Sequence, residues 1–309
     1  MTKKNNNIWI DTDLAVGEKR THREGYSDVD DGYAVLQLFK EPSVKIHGIS
    51  TVFGNTAIDN AQKIGEMMST VFAPYSIPVY KGAKEALNLA EVETNAATDA
   101  LADILKETKL RILAIGPATN VGILLLKNPE LASQIEEVVL VAGRRKATDN
   151  FAIGNQGNNA PDLNFDLDNQ AFQILLESGV PVTLCPFEIS SKVWIKPVDL
   201  KEITTKNPAN QWLVKHSQPW LQQWLDQGAE GFNPFDVLAS HYLIAPDDII
   251  SEHLTARMEI HKNDQIKDNS NQHFKQYLLC DNAGRYPVKY CYDVVYDYHE
   301  KLIQTLKKD

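Results

Sequence analysis

Five aspartates fall within 21 residues near the N-terminus: Asp11, Asp13, Asp28, Asp30 and Asp31. Asp11-Thr12-Asp13 closes an apolar run that reads as a strand over 8–11. Side chains alternate along a strand, so its two carboxylates leave the carboxyl end on the same side. Held together, they repel unless positive charge sits with them. Asp28, Asp30 and Asp31 stand at the start of a helical window over 31–39, where amide dipoles favour anions. Capping that helix absorbs one carboxylate, or two. The excess asks for a hard cation with oxygen ligands, Ca²⁺ or Mg²⁺.

The elements that must position this cluster follow from the pattern of the chain. Short apolar runs over 8–11, 44–51, 77–80, 111–115, 138–142 and 182–185 alternate with helical windows over 31–39, 60–72, 97–107, 119–126 and 169–178. This is the pattern of βαβ units around a sheet buried on both faces. With right-handed crossovers it predicts an open, mostly parallel, doubly wound (Rossmann-like) α/β sheet, with ligands at the carboxyl ends of its strands. Beyond about residue 197 a helical excursion containing Trp212, Trp220 and Trp224 is expected, fitting core and interface equally. Alternating segments over 254–261 and 277–280 read as a β-hairpin appended to the sheet, and 293–306 as a closing helix. No linker or repeat interrupts the chain, so a single domain over 1–309 is expected, with 1–7 a flexible tail.

Composition narrows the partners. Lys and Arg number 31 against 41 Asp and Glu, a net charge of −10, whereas duplex nucleic acid demands a basic footprint. No run approaches the length of a membrane span, and the N-terminus has no apolar signal core. Cys185, Cys280 and Cys291 lack metal-binding spacing and read as reduced thiols. A soluble cytoplasmic protein that takes a small molecule and a cation, with no nucleic-acid or membrane partner, is expected.

A strand ending in DxD also opens the haloacid-dehalogenase phosphatases, where the first Asp is the nucleophile. Leu14 and Ala15 do not continue that motif, and Asp247-Asp248 follows Pro246 rather than an apolar strand with Gly. A different set of ordered blocks matches better: Asp11-Thr12-Asp13, Asp30-Asp31, ISTVFGN ending in Gly54-Asn55, LAIGPATNVGILL (113–125), VVLVAG (138–143), PDLNFDLDNQAF (161–172) and NPFDVLASHYLIAP (233–246). In these blocks the chain resembles the inosine-uridine-type nucleoside N-ribohydrolases. The resemblance implies one Ca²⁺ held by Asp13, Asp31, Asp236 and the backbone carbonyl of Ile115. It further implies ribose hydroxyls held by Asp30, Asn55 and Asn164, and a 5′-hydroxyl end held by Asp162 and an asparagine near Asn155. A homodimer or homotetramer is also what the resemblance implies.

Cleaving a ribosyl C–N bond builds positive charge on the sugar carbon and negative charge on the departing base, so a catalyst must stabilise both. Asp13 is the expected general base toward the attacking water, and carboxylates around the sugar favour an oxocarbenium-like transition state. At the base end the chain departs from the familiar pattern of the family. The residue before Asp236 is Phe235, where a proton-donating His is usual. An aromatic there resembles a purine-preferring subset that stacks the base, which predicts purine nucleosides as substrates. His241 reads as structural. Sixteen residues, 14–29, separate Asp13 from Asp30, where the family pattern has only a few. This insertion carries Lys19, Arg20, His22, Arg23 and Tyr26 and reads either as a solvated loop or as a lid supplying His22 as an acid. Two other functions remain open at this point: hydrolysis of another ribosyl compound, such as a nucleotide or modified nucleoside, and ribosyl-ligand binding without turnover.

Overall fold

The computed structural model describes residues 6–20, 24–155, 159–204, 207–266 and 273–308. Four βα units and a fifth strand open the fold: β1 (Asn7–Thr12), α1 (Asp30–Phe39), β2 (Lys45–Thr51), α2 (Ile58–Phe72), β3 (Val79–Lys81), α3 (Ala96–Glu107), β4 (Leu110–Ala114), α4 (Thr119–Lys127) and β5 (Ile135–Leu140), followed by α5 (Leu163–Leu167) and α6 (Asn169–Glu177). Then come β6 (Val182–Leu184), four helices α7 (Phe187–Ser190), α8 (Pro197–Ile203), α9 (Pro208–Asp226) and α10 (Phe235–Ile244), three strands β7 (Ile249–Lys262), β8 (Phe274–Asp281) and β9 (Tyr286–Val294), and α11 (Tyr298–Leu306).

All nine strands form one sheet in the order β3-β2-β1-β4-β5-β6-β9-β7-β8. The first six run parallel in the 3-2-1-4-5-6 order of a doubly wound nucleotide-binding sheet. The strand order reverses between β1 and β4, so their carboxyl ends form the switch point where such sheets open a crevice. Asp13 follows β1 there, and Ile115 follows β4.

Alternation along the strands builds two cores. Ile8 and Ile10 of β1 pack on one face with α1, α9 and α10, while Trp9 between them packs on the other with α3, α4 and α6, as a period of two requires. Trp212 packs against the first core, and Trp220 and Trp224 belong to it. Two polar links fix α10, which carries Phe235 and Asp236. Ser240 Oγ donates to Gln37 Oε1 of α1 at 2.6 Å. Tyr242 OH donates to Glu137 Oε1 at 3.0 Å, and Glu137 also pairs at 2.9 Å with the buried Arg111 of β4. The starts of α1 and α10 are thereby held beside the switch point.

One expected element needs correction. The appended hairpin is real but longer, Ile249–Lys262 paired with Phe274–Asp281, and it does not join the parallel sheet directly. β9 lies between them, parallel to β6 and antiparallel to β7. The closing helix accordingly starts at Tyr298, and Asp293 and Val294 belong to a strand. Pro287 and Lys289 break the apolar pattern of β9; Lys289 is accommodated because its Nζ donates to Tyr242 OH at 2.7 Å. Cys185, Cys280 and Cys291 are free and buried. Among the described residues, no helix is long and apolar enough to cross a membrane.

Candidate active site

β1 delivers Asp11 and Asp13 into different roles. Asp11 Oδ1 accepts from Ser50 Oγ at 2.5 Å and Asn120 Nδ2 at 2.7 Å, which ties β1 to β2 and α4. Its burial pushes its carboxyl up to about 6. Asp13 instead turns toward the loop after β2, where its Oδ2 accepts from the backbone N–H of Asn55 at 2.7 Å. Close approach there depends on Gly54, since a Cβ on that residue would lie 2.0 Å from Asp13 Oδ2.

Asp30 and Asp31 form the first turn of α1, as expected, but neither caps it; the residue before the helix is Val29, which makes no side-chain cap. Asp30 Oδ2 accepts from the backbone N–H of Asp236 at 3.0 Å and so serves the amino end of α10. Asp31 Oδ1 accepts from Thr12 Oγ1. Two helix amino ends, on α1 and α10, converge on one patch of carboxylates, where their dipoles favour negative charge.

That patch carries more charge than the dipoles balance. Burial raises Asp31 well above the usual carboxylate range, and the charges of Asp13 and Asp30 raise it further. Burial also raises Asp13, with Asp28 adding to it. Asp236 is raised by burial and then by Asp30, Asp31, Asp13 and Asp28. Asp30, raised by burial and partly relieved by the N–H groups of Asp236 and Phe235, stands at about 6. Two buried acceptors, Asp31 Oδ2 and Asn55 Oδ1, have no hydrogen-bond partner among the described residues. Carboxylate oxygens of Asp28, Asp30 and Asp31 lie within 4.8 Å of one another. The donors are all oxygen, negatively charged and partly unsatisfied, and so fit a hard divalent cation.

A cavity of about 630 Å³ opens above the cluster, a size suited to a small-molecule ligand. Asp28, Asp30, Asn55, Ile115, Asn164 and Asp236 line its acidic end, and Asp162 borders it. Asn164 Nδ2 donates to the carbonyls of Ile115 and Val141, each at 3.2 Å. Asp162 Oδ2 accepts from Gly143 N–H at 2.8 Å, and burial, opposed by Arg144, holds Asp162 at about 6. Asn155 is not in this wall. It is exposed, its N–H donates to the Gln227 carbonyl at 2.7 Å, and Asn159 lines the cavity in its place. His22 lies outside the described residues. His241 is a core residue between Gln37 Nε2 at 3.2 Å and Asp248 Oδ2 at 3.1 Å.

The opposite end of the cavity is aromatic, and of its wall sequence reasoning had assigned only Phe235. Phe235, half-buried, meets Phe151 edge to face at a centroid distance of 5.4 Å and lies 6.2 Å from Trp224. Trp220 and Phe187 complete the wall. Trp220 and Trp224 share one face of α9 because they are four residues apart, a spacing visible in the sequence. Asp28 was equally visible in the acidic run, but only the fold turns it into the cavity.

A doubly wound sheet that places a carboxylate cluster able to hold a cation and an aromatic wall in one cavity at its switch point suits an enzyme that handles a polar, ring-bearing metabolite. The inosine-uridine preferring nucleoside hydrolase family matches residues 8–288; the chain belongs to that family and is a ribonucleoside N-ribohydrolase. A probable uridine nucleosidase 1 of Oryza sativa subsp. japonica is 27% identical over 232 residues, covering 66% of this chain and 69% of the relative. A solved plant nucleoside hydrolase, PpNRh1, superposes with a TM-score of 0.76 at 18% identity over 98% of both chains. A purine-preferring ribonucleoside hydrolase from Gardnerella vaginalis does so with 0.73 at 19%, again over 98% of each.

Proposed function

We propose that the protein hydrolyses purine ribonucleosides to free base and ribose, with one calcium ion held by Asp13, Asp31, Asp236 and the carbonyl of Ile115. The observation that carries this reading is that one cavity has buried carboxylates at one end and Phe235 within an aromatic wall at the other. When bound, the cation would chelate the ribose diol and make a water easier to deprotonate, less strongly than zinc does.

The chain's own groups do the rest. Asp13 takes the proton of the attacking water. One of its oxygens is engaged by the Asn55 N–H, which orients the carboxylate for that transfer. Asp30, Asn55 and Asn164 hold the ribose hydroxyls; because the Asn164 amide donates to two carbonyls, its Oδ1 faces the sugar as an acceptor. Asp162, fixed through its other oxygen by Gly143, serves the 5′-hydroxyl. The surrounding carboxylates favour the positive charge that develops on the sugar. Phe235 stacks on the base, and its half-buried ring at the start of α10 supports a role beyond core packing. Three buried, free cysteines support a reducing compartment, the cytoplasm.

Free ribose released from a panel of nucleosides and nucleotides, with and without chelator, tests this reading. Purine nucleosides are expected to react fastest, with activity abolished by chelation and restored by calcium. Preferred release from nucleotides would move the substrate to another ribosyl class, and no release from any compound would leave a binding protein. Phe235→His is expected to shift preference toward pyrimidine nucleosides, with a loss on inosine of about 5- to 100-fold, the scale of one base–aromatic stack. An unchanged ratio of inosine to uridine kcat/KM would remove the stacking argument.

A further inference from the structure

The described residues of the insertion, 14–20 and 24–29, are built into the molecule. Leu14, Ala15 and Val16 are buried in the core, and the segment then folds back on itself. Gly17 N–H donates to the Asp28 carbonyl at 3.0 Å, Ser27 N–H to that of Glu18 at 2.8 Å, and Arg20 N–H to that of Gly25 at 2.9 Å, with Lys19 bridging Tyr26 antiparallel. This short hairpin docks on α9. Tyr26 N–H donates to Gln223 Oε1 at 2.7 Å, and a Cβ at Gly17, whose φ is +78°, would lie 2.2 Å from the His216 carbonyl.

Docking sets one side chain over the aromatic end of the cavity. The Arg20 guanidinium lies 5.9 Å from the centre of the Trp220 ring, and Arg20 lines the cavity. Among the described residues of that lining, it alone carries a fixed positive charge. Trp224, in the same wall, has a buried indole N–H with no hydrogen-bond partner among the described residues. The acidic end of the cavity suits a sugar, and the Arg20 cation stands beside the aromatic end, in a lining that also holds Glu24 and Asp226.

We infer that Arg20 reads the edge of the departing base and stabilises the negative charge it acquires, an inference that rests on the hydrolase reading above. When the C1′–N9 bond breaks, its electron pair leaves with the base, the water oxygen bonds to C1′, and one water proton goes to Asp13. A guanidinium does not give up a proton. Arg20 therefore acts by charge-assisted hydrogen bonding to the base, and solvent supplies the proton that finally neutralises N9. The planar fork fits two adjacent acceptors, the O6 and N7 atoms of a 6-oxopurine. Adenine offers N7 beside an amino donor, which opposes one arm of the fork. Arg20 is thus a specificity residue favouring 6-oxopurine nucleosides over adenosine.

Arg20→Gln tests this, with kcat/KM measured on inosine, guanosine, adenosine and p-nitrophenyl riboside, whose leaving group lacks both purine acceptors. Calorimetry of hypoxanthine and adenine binding runs alongside. Inosine and guanosine are expected to lose about 5- to 100-fold, the range of one bidentate contact, with hypoxanthine affinity falling in parallel. The p-nitrophenyl riboside, whose leaving group departs readily unaided, is expected to change by less than about threefold, within the noise of a lost peripheral contact, and adenosine, which offers the fork N7 alone, to lose several-fold less than inosine. A uniform loss on all four substrates, or an unchanged inosine-to-adenosine ratio, would overturn the inference. Wild-type protein that releases no ribose sinks the hydrolase reading instead; the Arg20 inference is then decided by whether hypoxanthine binding still weakens in the variant.

Discussion

Asp13→Asn is expected to lower ribose release by about 10²- to 10⁴-fold, the contribution of a positioned general base, and to raise the melting temperature of the cation-free protein. The two effects share one cause. Asp13 is raised well above the ordinary carboxylate range by burial and by the neighbouring charge of Asp28, so a neutral isostere removes repulsion from the folded state. The amide oxygen still accepts from the Asn55 N–H that now engages Asp13 Oδ2, and the loop around Gly54 keeps its geometry. What disappears is the carboxylate proposed to receive the water's proton. Kinetics on inosine, with thermal unfolding in chelator, checks both halves. Retention of most activity would sink the general-base assignment, and lower stability without cation would sink the account of the cluster as repelling. A site whose residues oppose folding is an ordinary consequence of tuning for function.

The half of this site that was legible in the sequence is the half made of short-range pattern. Asp13, Asp30 and Asp31 sit at a strand end and a helix start, positions set by periodicity over a few residues. The alternation of apolar runs and helical windows carried the parallel part of the sheet, and with it the switch point between β1 and β4. β9 escaped because Pro287 and Lys289 interrupt its pattern, and because its neighbours β6 and β7 lie far away in sequence.

At the base end Phe235 was legible beside Asp236, and the rest escaped for the same reason. Trp220 and Trp224 face the cavity only because α9 lies across it, and Arg20 reaches it only because the hairpin docks on that helix through Gln223. Long-range packing of this kind leaves no local signature. Asn155 and Asn159 differ by which of several asparagines in one loop turns inward, a choice set by the Gln227 carbonyl that captures the Asn155 N–H. The capping explanation for the aspartates was half right, since Asp30 does serve a helix amino end, but that of α10, which begins 205 residues further along at Phe235.

Stabilisation by a divalent cation is expected to grow steeply with pH between about 4 and 7. Asp30 is raised from 3.8 to about 6 by burial, and Asp13, Asp31 and Asp236 are raised well above the usual carboxylate range by burial and by neighbouring carboxylates. A group whose folded value lies above its unfolded value stabilises the protein fully below the unfolded value, and that contribution is lost as pH rises through the folded one. Without cation, this cluster therefore favours the folded state near pH 4 and opposes it as pH passes 6. Glu137 and Asp264, held below their usual values by arginine and hydrogen-bonding partners despite burial, act in the opposite sense and lose their contribution as pH falls. The informative quantity is consequently the increment on adding cation at each pH, from which those groups cancel. Binding requires the deprotonated carboxylates, so the increment is small near pH 4.5. By pH 7.5 it approaches about 2.7 kcal/mol at a hundredfold excess over Kd, or roughly 4 °C in melting temperature for a chain of this size. Differential scanning calorimetry with calcium, magnesium and chelator across that range provides the test. An increment independent of pH would mean that the cation binds elsewhere than at the carboxylates beneath the cavity, and an absent one that their mutual repulsion is relieved by the protein itself.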